Sequence, residues 1–130
     1  MDLIDFGVMN PNEWNDTLDN SHPPFIIQND GSVVVNITIN ATNLWSGTGS
    51  SNPSIYYRFQ SAENETGSVP SASDLVTEWT NVPLNPIKFA TRLNYTDSSD
   101  SLKGHLYVLV PSDEPAGPKS SIVTFIASPA

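Results

Sequence analysis

Apolar and polar residues alternate along most of this chain of 130 residues, and the alternation has a period of two. It is clearest at residues 33–40 and 87–95, where nearly every second side chain is aliphatic or aromatic. A period of two is typical of β-strands with one buried face. No window keeps the spacing of an amphipathic helix over three turns, so the pattern predicts an all-β protein.

Eight segments carry the alternation, and turns rich in proline, glycine and asparagine separate them. At most one helical turn is expected, at residues 71–75. Turn signals at intervals of roughly ten to fifteen residues predict an antiparallel β-sandwich of seven to eight strands, of the Ig-like or jelly-roll type. The whole chain, residues 1–130, is expected to form this single domain. The predicted strands are residues 3–8, 25–28, 33–40, 55–60, 75–79, 87–95, 106–110 and 122–127.

One turn carries a specific pairing prediction. Asp30-Gly31 lies between two apolar runs, which is a strong signal for a β-hairpin. The second and third predicted strands are therefore expected to be neighbours in one sheet.

Asparagine and threonine form an unusual pattern. Five of the thirteen asparagines begin an Asn-x-Thr triplet, whereas about one is expected by chance, and this triplet is the acceptor for N-linked glycans. On the two clearest strands the acceptors fall opposite the aliphatic stripe, where a glycan can stand in water. The pattern favours a glycoprotein outside the cell or on its surface, although asparagine and threonine are also simply common in polar β-proteins. The candidate sites are Asn15, Asn36, Asn40, Asn64 and Asn94.

Composition excludes several classes of partner and chemistry. Fourteen acidic residues against five basic ones give a net charge of −9, which repels phosphate backbones, so no nucleic-acid partner is expected. The absence of cysteine excludes disulfides, thiol chemistry and cysteine-based zinc sites. No apolar run approaches the roughly twenty residues of a membrane span. No leader-like pattern opens the sequence, so an exported chain would be a mature or trimmed form.

No catalytic constellation is apparent. His22 and His105 are the only histidines, no serine has the context of a nucleophile elbow, and His105 is expected at a surface or strand edge. Several carboxylates in predicted turns could converge on calcium, but none matches an EF-hand loop, and turn formation explains them more simply. We expect a non-enzymatic protein without a cofactor beyond its glycans. The calcium candidates are Asp16, Asp19, Asp97, Asp100, Asp113 and Glu114.

The aromatic residues leave an alternative function open. Trp14, Trp45 and Trp79 lie in or beside predicted loops, and with Tyr56 and Tyr57 they could form a flat surface on which sugars stack. Such a platform would make the chain a carbohydrate-binding or adhesion module. The simpler interpretation is that these side chains close the ends of the sandwich or lie at subunit contacts. A secreted hydrolase fragment is a weaker third possibility.

Parts of both termini resemble a known class of surface protein. Residues 6–11 (FGVMNP), 24–31 (PFIIQNDG) and 33–39 (VVVNITI) resemble the opening of TasA/camelysin-type matrix-fibre subunits and archaeal Ig-like surface domains. Residues 110–117 (VPSDEPAG) and the strand after them are similar to the closing turn and final strand of such domains. The chain departs from the pattern at Asn12, where glycine is usual, and it has no metalloprotease motif.

The resemblance implies a structural subunit of an extracellular filament or cell-surface layer, whose partners are copies of itself and other surface glycans. Subunits of this type polymerise by donor-strand exchange, in which a terminal strand completes the sheet of a neighbour. The candidate donor is the segment 1–9, since the polar stretch 10–23 separates it from the rest. It could equally form the first strand of its own sandwich. The donor side chains would be Leu3, Ile4, Phe6 and Val8.

Overall fold

The computed structural model describes residues 3–19, 21–50 and 52–130. Within these ranges the chain forms eight strands and one 3-10 helix, Ala72–Asp74. The predicted all-β fold, an antiparallel β-sandwich of eight strands, is confirmed. The strands are β1 (Trp14–Asp16), β2 (Phe25–Gln28), β3 (Val35–Ala41), β4 (Tyr57–Glu63), β5 (Thr80–Asn81), β6 (Ile87–Leu93), β7 (Ser101–Leu109) and β8 (Val123–Pro129).

The two sheets differ in width. In the five-stranded sheet, β7 is central: β4 and then β5 lie on one side, and β1 and β2 follow one another along the other side. In the three-stranded sheet, β3 lies between β6 and β8. The five-stranded sheet is therefore wider than the three-stranded sheet that covers it.

Alternation along the strands builds the core, as the sequence predicts. Ile37 and Ile39 of β3 and Phe59 of β4 are buried, while their neighbours in each strand are half-buried on the outer faces. Phe89 stands between Phe59 and Phe125, with ring centroids 6.2 and 4.9 Å away. The core is thus a layer of aliphatic and aromatic side chains between two sheets, the arrangement typical of a β-sandwich.

A β-bulge interrupts the alternation of β6. Arg92 has a φ of 55°, in the left-handed region, and the register between β3 and β6 shifts around Ile37. Strict alternation along residues 87–95 would place Ala90 on the polar face opposite Phe89, but the bulge leaves both residues fully buried. The backbone N–H of Arg92 donates to Oδ1 of Asn36 at 3.1 Å, so a side chain replaces the missing ladder bond.

The predicted hairpin at Asp30-Gly31 is wrong. β2 pairs with β7 in one sheet, whereas β3 pairs with β6 and β8 in the other. The turn crosses the sandwich because the buried Asn29 side chain links its two halves. Its Oδ1 accepts from the N–H of Gly31, and its Nδ2 donates to the carbonyls of Val33 and Leu93.

The prediction of a strand at residues 75–79 is also wrong. Ser71 caps the 3-10 helix, and after it Leu75 forms only an isolated bridge with Ala90. The Oγ of Ser61 accepts the N–H of Val76 at 2.7 Å, so a side chain occupies a backbone donor that a strand would pair. The single helical turn predicted here is confirmed by the 3-10 helix.

The predicted strand at residues 3–8 does not form within this fold. Gly7 has a φ of +71°, and its N–H donates to Oδ1 of Asp5, so the backbone turns instead of extending. Ile4 and Phe6 are half-buried against the core, but Val8 is 98% exposed. The outer strand of the sheet is instead β1, which the sequence assigned to a polar loop.

Candidate functional site

The outer edge of β8 lacks a neighbouring strand. β8 pairs with β3 along all seven of its residues, and no other strand of the described chain lies beside it. Residues 120–130 contain no charged side chain. Sheet edges normally carry charges or prolines that prevent pairing with other chains. Apart from Pro129 at its end, β8 has none of these protections.

Beside this edge, the sandwich is incompletely covered. An open groove of about 150 Å³ lies between β2, β3 and β8. Phe125 points inward but is only half-buried, and Ala127, which also lines the groove, is exposed. The apolar lining consists of Ile27, Val35, Ile37, Leu93, Phe125 and Ala127.

The candidate donor segment is held by side chains alone. Phe6 packs against His22 with ring centroids 5.0 Å apart, and Ile4 contacts the core. In the described part of the chain, no backbone hydrogen bond joins residues 3–9 to a strand. Leu3 and Val8, the two other predicted donor residues, project into solvent.

Two acceptor asparagines lie on the outer face of the three-stranded sheet, as predicted. Asn36 and Asn40 are half-buried, opposite Ser128 and Thr124 of β8. The Nδ2 of Asn40 donates to the carbonyl of Leu84 at 3.3 Å, and a substituted amide nitrogen would retain one hydrogen for this bond. Both side chains therefore stand on the face away from the core.

Two further acceptors lie near one another in loops at one end of the sandwich. Asn64 is exposed, Asn94 is half-buried, and the backbone N–H of Asn94 donates to Ser68 in the adjoining loop. The threonines of their triplets, Thr66 and Thr96, are exposed. Asn64 is thus the acceptor at which asparagine and threonine are both open to solvent.

The fifth acceptor, Asn15 on β1, has a buried triplet. Thr17 is only 1% exposed, and its Oγ1 lies 2.8 Å from Nδ1 of His105. The same oxygen accepts the backbone N–H of Leu106. His105 is therefore buried at the centre of β7, and the prediction that it lies at a surface or strand edge is wrong. Burial lowers the pKa of its imidazole. The loop after β1 covers this part of the sheet, which the sequence could not reveal.

The acidic residues considered for calcium are scattered. Asp16 caps a local turn by accepting the N–H of Leu18, and Asp100 is buried beside Glu65. Burial, with the neighbouring carboxylate, raises the pKa of Asp100. Across the described ranges, no three histidine or carboxylate side chains converge as metal ligands would.

Asp113 and Glu114 form a carboxylate clasp on the loop after β3. The Glu114 side chain, 2% exposed, accepts the N–H groups of Ser46 and Gly47, and Nζ of Lys119 lies 2.7 Å away. Burial alone would raise the pKa of Glu114, but these donors lower it to about 2. Asp113 accepts the N–H and the hydroxyl of Thr48 in the same loop.

The tryptophans divide between two roles. Trp45 is buried and donates its Nε1–H to the carbonyl of Tyr56, so it closes one end of the core, and Tyr57 is buried too. Trp14, in contrast, is 61% exposed. It lies on the outer face of the five-stranded sheet, where it stacks on a residue that the sequence analysis missed, Tyr107 of β7.

We call Trp14, Tyr107, Trp79 and Arg58 the aromatic strip. The ring centroids of Trp14 and Trp79 lie 5.9 and 5.5 Å from that of Tyr107, and the guanidinium of Arg58 lies 5.8 Å from the same ring. Alternation along residues 106–110 is the signal that could have placed Tyr107 on an outer face, because Leu106 and Val108 on either side of it are buried. Sequence alone could not indicate which other side chains would surround it.

Neither the helices of this protein nor its comparison with known proteins suggests a function. Among residues 3–19, 21–50 and 52–130 the one helix spans three residues, so no helix there is long and apolar enough to cross a membrane. Comparison of the chain with protein-family models, curated proteins and solved structures gave no match.

Proposed function

We propose that this protein is a non-enzymatic structural subunit of an extracellular filament or cell-surface layer, glycosylated on asparagine and assembled by β-strand donation. The observation that carries the proposal is the unpaired, uncharged edge of β8 beside an uncovered apolar groove. A groove of this kind is what an additional strand would fill. The added strand would also complete the narrower sheet.

The donor segment fits the length and chemistry of this edge. Residues 3–9 match the seven residues of β8, and an extended conformation would place Ile4, Phe6 and Val8 on one face. That face would enter the groove, while the backbone would pair with the free N–H and C=O groups of β8. β-Augmentation combines backbone pairing for affinity with pockets for alternate side chains.

Release of residues 3–9 from their own subunit breaks few interactions. Residues 3–9 hold no ladder hydrogen bond there, so extension toward a neighbour costs only the packing of Ile4, Phe6 and Met9. Gly7, which turns the segment in its own fold, can adopt the extended conformation without steric penalty. Transfer to a neighbour would therefore gain backbone pairing that the isolated subunit lacks.

The proposal predicts the outcome of two kinds of variant. The full chain should form polymers, whereas a chain lacking residues 1–9 should remain monomeric because the donor is absent. Ala127→Lys should also block assembly, because it places a charge in the groove from an exposed position. The matched control is Ser128→Lys, which lies on the outer face of the same strand and should still polymerise. Sedimentation velocity and electron microscopy measure these states.

Each result tests a different part of the proposal. Assembly of the truncated chain would refute strand donation by the N-terminal segment. Assembly of Ala127→Lys at the rate of the control would refute β8 as the acceptor edge. A full chain that stays monomeric at every concentration and ionic strength would refute the subunit function itself.

Glycosylation is tested most directly at Asn64. In a host that adds N-linked glycans, Asn64→Gln should lower the intact mass by one complete glycan, because this acceptor and Thr66 are both exposed. The control Asn85→Gln removes an exposed asparagine outside any acceptor triplet and should leave the glycan mass unchanged. Identical glycan mass in both variants would show that Asn64 is unmodified.

A further inference from the structure

The aromatic strip lies within a row of polar residues on the five-stranded sheet. Asp16, Tyr107, Arg58 and Asn81 are directly opposite one another across β1, β7, β4 and β5. Residues opposite one another in antiparallel strands project from the same face. The indole of Trp14 stacks on Tyr107 at an interplanar angle of 26°. The surface therefore combines flat aromatic rings with hydrogen-bonding groups.

Arg58 is the second observation that points to a ligand. Its Nε is buried yet has no hydrogen-bond partner, and among the described carboxylates none forms an ion pair with its guanidinium. A buried donor without an acceptor is destabilising, and most such groups in proteins are paired. The enclosed Nε is out of reach of a ligand, but Arg58 as a whole is half-buried and has no ion-pair partner among the described residues. An oxygen atom of a bound molecule would be a natural partner for its terminal N–H groups.

We propose that the aromatic strip binds an extended polysaccharide of pyranose units. Pyranose rings present faces of C–H groups that pack on aromatic rings, and hydroxyl groups at their edges that hydrogen-bond to polar side chains. Trp14, which is 61% exposed, offers the ring of the strip that is most open to such a face. Arg58 and Asn81 would bind the hydroxyl groups.

Net charge distinguishes this ligand from nucleic acids. The bases of a nucleic acid also stack on aromatic residues, but a net charge of −9 repels its phosphates. Protein interfaces are enriched in the same tryptophan, tyrosine and arginine side chains, so a protein partner is an outcome that the test must separate from sugar binding. The candidate acceptors Asn36 and Asn40 lie on the opposite sheet, whereas Asn15 is adjacent to Trp14 on β1. The test therefore titrates free oligosaccharides, so that binding reports a polysaccharide from the surroundings.

The test uses the full chain with a panel of hexasaccharides: cello-, manno- and xylo-oligomers and an oligogalacturonate, titrated by calorimetry. At least one should bind, and Trp14→Ala should weaken that binding roughly tenfold, which corresponds to about 1.4 kcal/mol. Arg58→Lys should weaken it too, since an ammonium group lacks the planar fork of donors. Tyr95→Ala, an exposed aromatic outside the strip, should bind normally.

Several results would overturn the proposal. The first is that no sugar of the panel binds. The second is that folded Trp14→Ala binds sugar with unchanged affinity. The third is that Trp14→Ala loses self-association while neither protein binds sugar. Melting temperatures establish that each variant is folded. The chain lacking residues 1–9 should bind sugar as tightly as the full chain, so the strip is tested independently of filament assembly.

Discussion

Replacement of Phe89 by alanine is expected to lower the free energy of unfolding by about 4 kcal/mol, the cost of a large cavity in a packed core. Phe89 is fully buried and contacts the rings of Phe59 and Phe125 from opposite sheets. A Cβ built on Gly104 would lie 3.4 Å from the Phe89 ring, so backbone from the central strand also borders this position. Urea denaturation followed by fluorescence measures the change.

The control for this substitution is Tyr95→Ala, because Tyr95 is an aromatic residue outside the core and partly exposed. It should change the free energy of unfolding by about 0.5 kcal/mol or less. A loss below about 2 kcal/mol for Phe89→Ala would mean that the two sheets do not meet at this residue.

Glu114→Gln is expected to lower the free energy of unfolding by about 3 kcal/mol at neutral pH, because it leaves Lys119 without its partner and weakens a buried set of charged hydrogen bonds. The ordinary pKa of glutamate, 4.5, falls to about 2 in the folded protein. The stability that the carboxylate contributes is therefore complete above pH 4.5 and is lost as the pH falls toward 2.

The pH dependence of this loss of stability shows whether the Glu114 carboxylate causes it. The difference between the wild-type protein and Glu114→Gln should be constant from pH 5 to 7 and should shrink steadily in acid. The control Glu78→Gln removes an exposed carboxylate and should leave the curve unchanged. A difference between wild type and Glu114→Gln that persists undiminished at pH 2 would contradict the assignment.

The sequence predicted the faces of strands better than their partners. Alternation placed Ile37 and Ile39 inward and Asn36 and Asn40 outward, and the structure agrees. The pairing of β2 with β3 was wrong, because alternation is the same for two strands that are neighbours and for two that face each other across a core. At Asp30-Gly31 the outcome depends on Asn29, whose amide bridges carbonyls that are distant in the chain.

The central strand shows why interior polar residues mislead. Its N-terminal part includes Lys103, Gly104 and His105, which do not suggest a buried strand. Gly104 nevertheless faces the core, where a Cβ would lie 3.2 Å from Ile27, and His105 is covered by Thr17. Both environments are created by residues of other strands and loops, so no local pattern could reveal them.

The two surfaces proposed here are non-local in the same way. The aromatic strip joins residues 14, 58, 79 and 107, whose side-chain types were visible but whose meeting depends on strand order. The groove at β8 depends on the unequal widths of the sheets, which in turn depend on pairing. The turn at Gly7 within the apolar N-terminal segment is, in contrast, a local feature, since the Gly7 N–H donates to Asp5 two residues before it.

The burial of Thr17 has a consequence for the proposed glycosylation. An enzyme that recognises Asn-x-Thr must reach the threonine, and in the folded chain that hydroxyl is enclosed between His105 and Leu106. If the chain is glycosylated as proposed, a sugar can be attached at Asn15 only before β1 docks, whereas Asn64 stays accessible afterwards. The ratio of sugar occupancy at these two positions would then record how quickly newly made molecules fold.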